Sequence, residues 1–258
     1  MKDFTFNVPQ DIIFGKGSLK RLPELLEKSG SKKMLLISGP VLKKIGMVEK
    51  VEEIVKASGI EVEVFTDVEA NPSVATVDKA TEAYKKAGAT SIVAFGGGSP
   101  MDVAKAVGVL AKYGGEIGDY EGAHKVPGPI VPIIAIPTTA GTGSEVTAFS
   151  VITDEARNYK LTVFSYELIP SYALLDPELV MTSPASVAAA CGVDALIRSK
   201  PSGRRGGGSH ALRKHVRRYR ICMGKTWKYP CYEPSGKRLF PCGTRCGKCD
   251  SSSNDCGI

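Results

Sequence analysis

The chain has 258 residues, enough for one large domain or two smaller ones, and a formal net charge of +7 that is unevenly distributed. Residues 1–196 carry 19 Lys and Arg against 24 Asp and Glu, whereas residues 197–258 carry 15 against 3, so the basicity belongs to the last quarter alone. No apolar run approaches the ~20 residues of a membrane span, and "MKDFTFNVPQ" is too charged to read as a secretory leader. These features exclude an integral membrane protein and lead us to expect a cytoplasmic one.

Cysteine use changes at the same place. Cys191 stands alone in the first part, and Cys222, Cys231, Cys242, Cys246, Cys249 and Cys256 crowd the rest. The first part therefore reads as the body of a reduced, intracellular enzyme.

Strand and helix patterns alternate along that body. "KKMLLIS" (32–38) is a short apolar run closed by Gly39-Pro40, as expected of a strand buried on both faces. "MVEKVEEIVKASG" spaces Val48, Val51, Ile54 and Val55 at helical intervals and stops at Gly59. "EVEVF" (61–65) alternates as a strand, and residues 73–88 form a helix with Ser73 as its N-cap. "SIVAF" (91–95) is another buried strand, "PMDVAKAVGVLAKY" a helix, and "IVPIIAIP" (130–137) a further strand. Strands joined by helices of this length predict βαβ units on a parallel sheet, an α/β fold of the Rossmann-like class.

Beyond Pro137 the pattern changes. "TAFSVITDEARNYKLTVFS" holds two alternating runs about a polar turn at 154–158, a β-hairpin. A short strand, a turn at Asp176-Pro177 and a helix starting near Ser183-Pro184 complete the patterned region.

Two segments carry chemistry. In "AFGGGSPMDVAKA" three glycines follow a buried strand, Ser99 can cap a helix and Pro100 suits its first turn. Glycines let backbone approach a ligand closely, and free N–H groups at a helix N-terminus attract phosphate. The placement between strand and helix favours phosphate binding over a plain tight turn. In "IPTTAGTGSEVTAFS" the hydroxyls of Thr138, Thr139, Thr142 and Ser144 lie at the C-terminal end of a strand, the edge where open α/β sheets bind ligands.

Together with "PQDIIFGKGSL" and with "DPEL" ahead of "GVDAL", these motifs resemble the iron-containing alcohol dehydrogenases over about residues 5–197. The resemblance implies an N-terminal dinucleotide-binding domain (residues 1–182) and the start of an all-helical metal-binding domain (183–197). It also implies NAD or NADP and a divalent metal, usually Fe²⁺, acting on a small alcohol or aldehyde. In the family the metal polarises the reacting oxygen while hydride passes to or from the nicotinamide. By position, Gly97, Gly98 and Ser99 would hold the pyrophosphate with Asp102 nearby. Thr138, Thr139 and Thr142 would line the nucleotide, Lys160 would reach the ribose or nicotinamide side, and Asn71 would sit at another cofactor-lining turn. Gly39 stands where NAD-preferring members often have an acidic residue, so the match leans towards NADP or dual use. The resemblance implies no catalytic acid or base by number.

Asp194 matches a metal ligand of the family, whose pattern continues with a His four residues on, along one helix face. This sequence has Arg198 there, and a guanidinium offers a metal no lone pair. The chain's three histidines are His124, His210 and His215, and His124 reads as a solvated loop residue. The helical domain therefore reads as truncated and replaced by a basic, Cys-rich tail (198–258). Three readings of the tail stand open: out-of-frame translation of GC-rich DNA, a fused zinc- or nucleic-acid-binding module, or a disordered basic extension. On the first and third, the chain is an inactive relative of the dehydrogenases. On the second it is a non-catalytic nucleotide-binding domain with a new module. Nucleic acid is otherwise not an expected partner, nor is a membrane, and a homo-oligomer fits the body.

Overall fold

The computed structural model describes residue 8, residues 11–184 and residues 187–192. Asp194, Arg198 and the stretch 198–258 lie outside the described residues, as do residues 185–186 and 193–197 of the expected segment 183–197.

Six parallel strands form the main sheet. They are β1 (Asp11–Phe14), β2 (Lys33–Ser38), β3 (Glu61–Phe65), β4 (Ser91–Gly96), β6 (Ile133–Pro137) and β9 (Tyr172–Leu175). Their order across the sheet is β1-β9-β6-β4-β2-β3. A short β5 (Gly122–Ala123) joins the hairpin of β7 (Phe149–Asp154) and β8 (Tyr159–Phe164) in a second, three-stranded sheet. The helices are α1 (Leu22–Lys28), α2 (Pro40–Lys44), α3 (Met47–Lys56), α4 (Val74–Ala87), α5 (Gly98–Tyr113) and α6 (Pro177–Val180).

The near-continuous apolar strands are explained by helices on both faces. Met34 and Leu36 of β2, Val93 and Phe95 of β4, and Ile134 and Ile136 of β6 pack with the leucines of α1 and the valines of α3. Their neighbours Leu35 and Ile37, Ile92 and Ala94, Ile133 and Ala135 point the other way, onto α4 and α5. Alternation along each strand thus feeds two cores, so neither face can be polar.

α5 is covered twice. One side lies on the parallel sheet, and the other receives Ile152, Leu161 and Val163 from the hairpin sheet. Residues 103–110 of α5 are consequently all buried. A helix enclosed this way is apolar all round, as its sequence is, apart from Asp102, Lys105 and Lys112.

Most expected elements form. Ser73 caps α4 by accepting from the Thr76 amide, and Gly88 ends the helix in the left-handed conformation. The hairpin turns between Asp154 and Tyr159, and residues 187–192 are helical as expected from Ser183-Pro184. Three details differ. The strand expected over 130–137 begins at Ile133, because Ile130 and Val131 instead pack against α5 at Gly108. The expected turn at Asp176-Pro177 is the start of α6, with Asp176 as N-cap. Strand β1, helices α1 and α2, and β5 are additional to the expected pattern. β1 is four residues long and pairs only with β9, a partner more than 150 positions away.

Asp176 ties the ends of this domain together. It is 2% exposed, and its carboxylate accepts from the amides of Gly17 (3.1 Å), Leu19 (3.2 Å) and Glu178 (3.0 Å). One side chain thus caps α6 and satisfies the turn after β1. Asp176→Ala strands these amides and is expected to lower unfolding free energy by roughly 3 kcal/mol, read as a fall in the urea midpoint.

Candidate functional site

Register places the site. Ser38 of β2 lies beside Phe95 of β4, and Gly96 of β4 lies beside Pro137 of β6. The chain segments beginning at Gly39, Gly97 and Thr138 therefore leave the sheet side by side at its C-terminal edge. From β2 the chain crosses to β3 on one side, and from β4 it crosses to β6 on the other. The crevice between β2 and β4 is thus the topological switch point, where such sheets bind ligands.

The turn after β4 needs glycine. Gly96 has φ +147°, and a Cβ there would lie 2.9 Å from Pro100 Cγ, a ring atom with little freedom to move. Gly97 is extended and serves as the N-cap of α5, so the helix starts at Gly98. Ser99 therefore sits inside the first turn rather than capping it, and makes no capping hydrogen bond. This corrects the expected cap. The chain enters the helix while still extended at Gly97, and the amides of Gly98 and Ser99 have no intrahelical acceptor.

The loop after β6 closes onto this turn. Thr138 N–H donates to Gly96 O (2.9 Å). A Cβ on Gly97 would stand 3.3 Å from Thr139 Oγ1, and one on Gly98 would stand 3.1 Å from Thr142 Cγ2. Thr139 Oγ1 is buried with no hydrogen-bond partner in the protein, and so is Ser38 Oγ at the end of β2. Bare glycine backbone, helix N–H groups and an unpartnered buried hydroxyl thus meet at one place. This combination suits a phosphate-bearing ligand. Gly39 flanks the crevice, and a Cβ there would meet nothing closer than Val68 O at 3.5 Å, an ordinary van der Waals contact.

Asn71 and Lys160 form a second pair. Asn71 is left-handed (φ +57°), and its Oδ1 accepts from Lys160 Nζ at 2.9 Å. Thr153 holds the same turn, with its amide donating to Pro72 O (2.7 Å) and its hydroxyl to Asn71 O (3.3 Å). The hairpin thereby brings Lys160 to the turn ahead of α4. His124 is exposed as expected, although its ring lies 4.9 Å from Phe164 and 5.4 Å from Tyr166.

Behind the glycine turn lies a polar cluster that the sequence only half reveals. Lys105 is fully buried, and its Nζ donates to Thr147 O (2.8 Å), Phe149 O (2.9 Å), Ser144 Oγ (3.2 Å) and Thr147 Oγ1 (3.3 Å). Ser144 Oγ in turn donates to Asp102 Oδ1 (2.7 Å), and Ser150 Oγ donates to Asp102 O (2.7 Å). Burial pushes the Lys105 ammonium down to about 8, with the Asp102 and Glu145 carboxylates opposing that fall. Burial likewise raises Asp102, against the Lys105 charge and the Ser144 hydrogen bond. Lys105 escaped sequence reasoning because a lysine in a long helix ordinarily faces water. The available signal was its place on a helix with no polar face.

Among the described residues, no three His, Cys, Asp or Glu side chains are grouped to hold a metal ion. The described residues alone therefore do not fit iron, and no step through it is derived. No described helix is long and apolar enough to cross a membrane.

A parallel α/β sheet with a glycine turn and a threonine loop meeting at its switch point defines a Rossmann-like α/β domain. Residues 9–177, more than half the chain, match the family described as iron-containing alcohol dehydrogenase, and the chain belongs to that family. It is 36% identical to an NAD-dependent methanol dehydrogenase of Bacillus methanolicus, over 82% of this chain and 52% of that protein. It is 43% identical to a choline dehydrogenase of Bacillus subtilis, over 77% of this chain and 50% of that one. Among solved structures, a 1,3-propanediol oxidoreductase superposes with a TM-score of 0.75 at 35% identity, covering 77% of this chain and 52% of its own. A sulfoacetaldehyde reductase from Bifidobacterium kashiwanohense, solved with NAD⁺, gives 0.70 at 33%, covering 77% and 53%. The chain spans about half the length of the curated relatives it matches.

Lys105 makes the pH dependence of stability testable. Its folded-state value (about 8) lies below the ordinary 10.5, so between these values the unfolded chain binds more protons. Stability contributed by this group therefore rises with pH across that window, by up to about 1.4 kcal/mol per pH unit. Urea unfolding of wild type and Lys105→Met at pH 7.5 and 9.5 should show the difference moving in favour of wild type at the higher pH.

Proposed function

We propose that this chain binds NAD or NADP at the switch point, as the cofactor half of an alcohol dehydrogenase. The pyrophosphate would lie on the amides of Gly98 and Ser99, between Gly97 and the Thr138, Thr139 and Thr142 loop. The observation that carries this is the approach of Gly97 to Thr139 and of Gly98 to Thr142, with the Thr139 hydroxyl buried and unpartnered. The NAD⁺-bound reductase and the NAD-dependent methanol dehydrogenase among its relatives support the same cofactor class.

In this reading each group has a physical task. The helix N-terminus and bare glycine backbone neutralise the pyrophosphate. Thr139 Oγ1 gains the hydrogen-bond partner it otherwise lacks. The Asn71–Lys160 pair contributes a cation on the hairpin side, and Asp102 supports the loop through Ser144 rather than touching the nucleotide. When bound, the nicotinamide supplies hydride acceptance from a small alcohol or donation to its carbonyl partner. Metal-dependent turnover is not assigned to this chain, because Arg198 stands four positions beyond Asp194 where the family pattern has a metal-binding His.

Fluorescence titration should show NADH or NADPH binding with a Kd on the order of 10–100 μM, and Gly98→Val, which drives a side chain into Thr142, should abolish it. The same preparation with Fe²⁺ or Zn²⁺ should oxidise no alcohol. Absence of binding by a folded wild type refutes the cofactor reading, and robust alcohol oxidation refutes the inactive one.

Gly39 sets cofactor choice in the same reading. With no carboxylate to repel a 2′-phosphate, NADPH is accepted. Gly39→Asp, whose Cβ meets only an ordinary contact there, should weaken NADPH by roughly tenfold or more while leaving NADH unchanged or tighter. An unchanged NADPH-to-NADH ratio would remove Gly39 from the specificity argument.

A further inference from the structure

We infer that Lys105 is a positioning residue of the dinucleotide site: its buried ammonium ties the segment 144–149, and through it the Thr138–Thr142 loop, to the helix that begins at the glycine turn. The inference rests on the cofactor reading above and adds to it a residue that touches no ligand.

Between β6 and β7 the chain forms a ligand loop, makes a short 3₁₀ turn at Ser144–Val146 and re-enters a sheet at Phe149. Such irregular chain cannot satisfy its own carbonyls, and those of Thr147 and Phe149 point into α5, where Lys105 Nζ donates to both. A methionine would fill the same volume without the cost of desolvating a charge, but it would leave two carbonyls without a donor. The lysine is therefore selected by what it holds.

The tie continues to the ligand side. Lys105 Nζ donates to Ser144 Oγ, which donates to Asp102 Oδ1, while the Ser144 amide donates to Thr142 Oγ1 (3.3 Å). Thr142 is the residue that packs against Gly98. Lys105 and Asp102 lie on the first two turns of α5, so both ends of this chain of contacts belong to the helix whose N-terminus faces the crevice. The gap between the glycine turn and the threonine loop is thereby set from behind. Among the described residues, the charged groups acting on Lys105 are the carboxylates of Asp102 and Glu145. Together they keep a cation beneath the site while the ammonium remains protonated.

A purely structural lysine and a positioning one differ in their response to pH. Deprotonation removes one donor from an ammonium that serves four acceptors, which loosens the loop, and it removes positive charge from beneath the pyrophosphate. Affinity for dinucleotide should therefore fall as pH rises through about 8, whereas the stability contribution of the same group rises.

The test measures NADH and NADPH Kd for the full chain and Lys105→Met from pH 6.5 to 9.5, with hydrogen exchange of backbone amides. Lys105→Met is expected to raise Kd roughly tenfold at pH 7. It should also flatten the pH profile and speed exchange in residues 138–149, while β2 and β4 stay protected. A variant that binds like wild type with the same pH profile overturns the inference, as does a raised Kd whose pH profile is unchanged. If wild type binds neither dinucleotide, the cofactor reading fails. The exchange arm then decides alone: acceleration confined to 138–149 upholds the tie, and unchanged exchange overturns it. Should Lys105→Met not fold, Ser144→Ala keeps the ammonium but cuts the link to Asp102. It is expected to raise Kd about threefold, and an unchanged Kd overturns the inference.

Discussion

Enclosure of α5 between two sheets is the constraint on which the rest of the site depends. A helix lying on a single sheet can turn its charged residues to water. α5 cannot, because the β7–β8 hairpin covers the face that the parallel sheet leaves open. Its polar side chains must then either lie near its ends or find partners inside. Lys112 lies in the last turn, and Asp102 and Lys105 are paired internally with the chain that leads into the hairpin. The same enclosure fixes the helix N-terminus at the sheet edge, so that Gly98 and Ser99 present their amides where the β2 and β6 loops also emerge.

The site is accordingly built in two layers. The outer one is backbone and small side chains: glycines 96–98 on one lip, Thr138, Thr139 and Thr142 on the other, and Gly39 to the side. Side-chain bulk is excluded here because the lips already touch, within 3.3 Å of where a Cβ would stand on Gly97 or Gly98. The inner layer is ionic and buried, and it settles how far apart the lips sit. A similar tie operates farther along the same C-terminal edge of the sheet, where the Asp176 carboxylate holds the turn after β1 through the Gly17 and Leu19 amides. A third occurs where the helix at 187–192 meets the threonine loop. Gly141 lies so close to Cys191 that a Cβ would come within 2.7 Å of it, and Ser183 Oγ donates to Thr138 O at 2.6 Å. The chain just beyond residue 182 is therefore in direct contact with the threonine loop.

The family supplies a context for this arrangement without completing it. The matched relatives are named dehydrogenases of methanol, choline and 1,3-propanediol, and each is about twice as long as the matched region. The common ground is the cofactor-side architecture.

By itself the sequence determined the fold class and the lips of the site. Buried strands announce themselves as unbroken apolar runs, helices as 3.6-residue periodicity, and a glycine turn between the two as a place for phosphate. All of these are local patterns, legible within a dozen residues. Ser73 as a cap and the hairpin at 154–158 were readable for the same reason. The start of α5 was misjudged at Ser99, since cap position depends on where backbone leaves the strand, and a glycine can occupy it without a side-chain signal. Only the tertiary structure decided that β1 pairs with β9, that Asp176 serves the turn after β1, and that Lys105 is an internal ion. Each depends on residues far apart in the chain, 39 positions for Lys105 and Ser144 and 159 for Asp176 and Gly17, brought together by the sheet order. A lysine reads as solvent-facing until the covering hairpin is in place, and no local pattern records which helix a distant hairpin will cover.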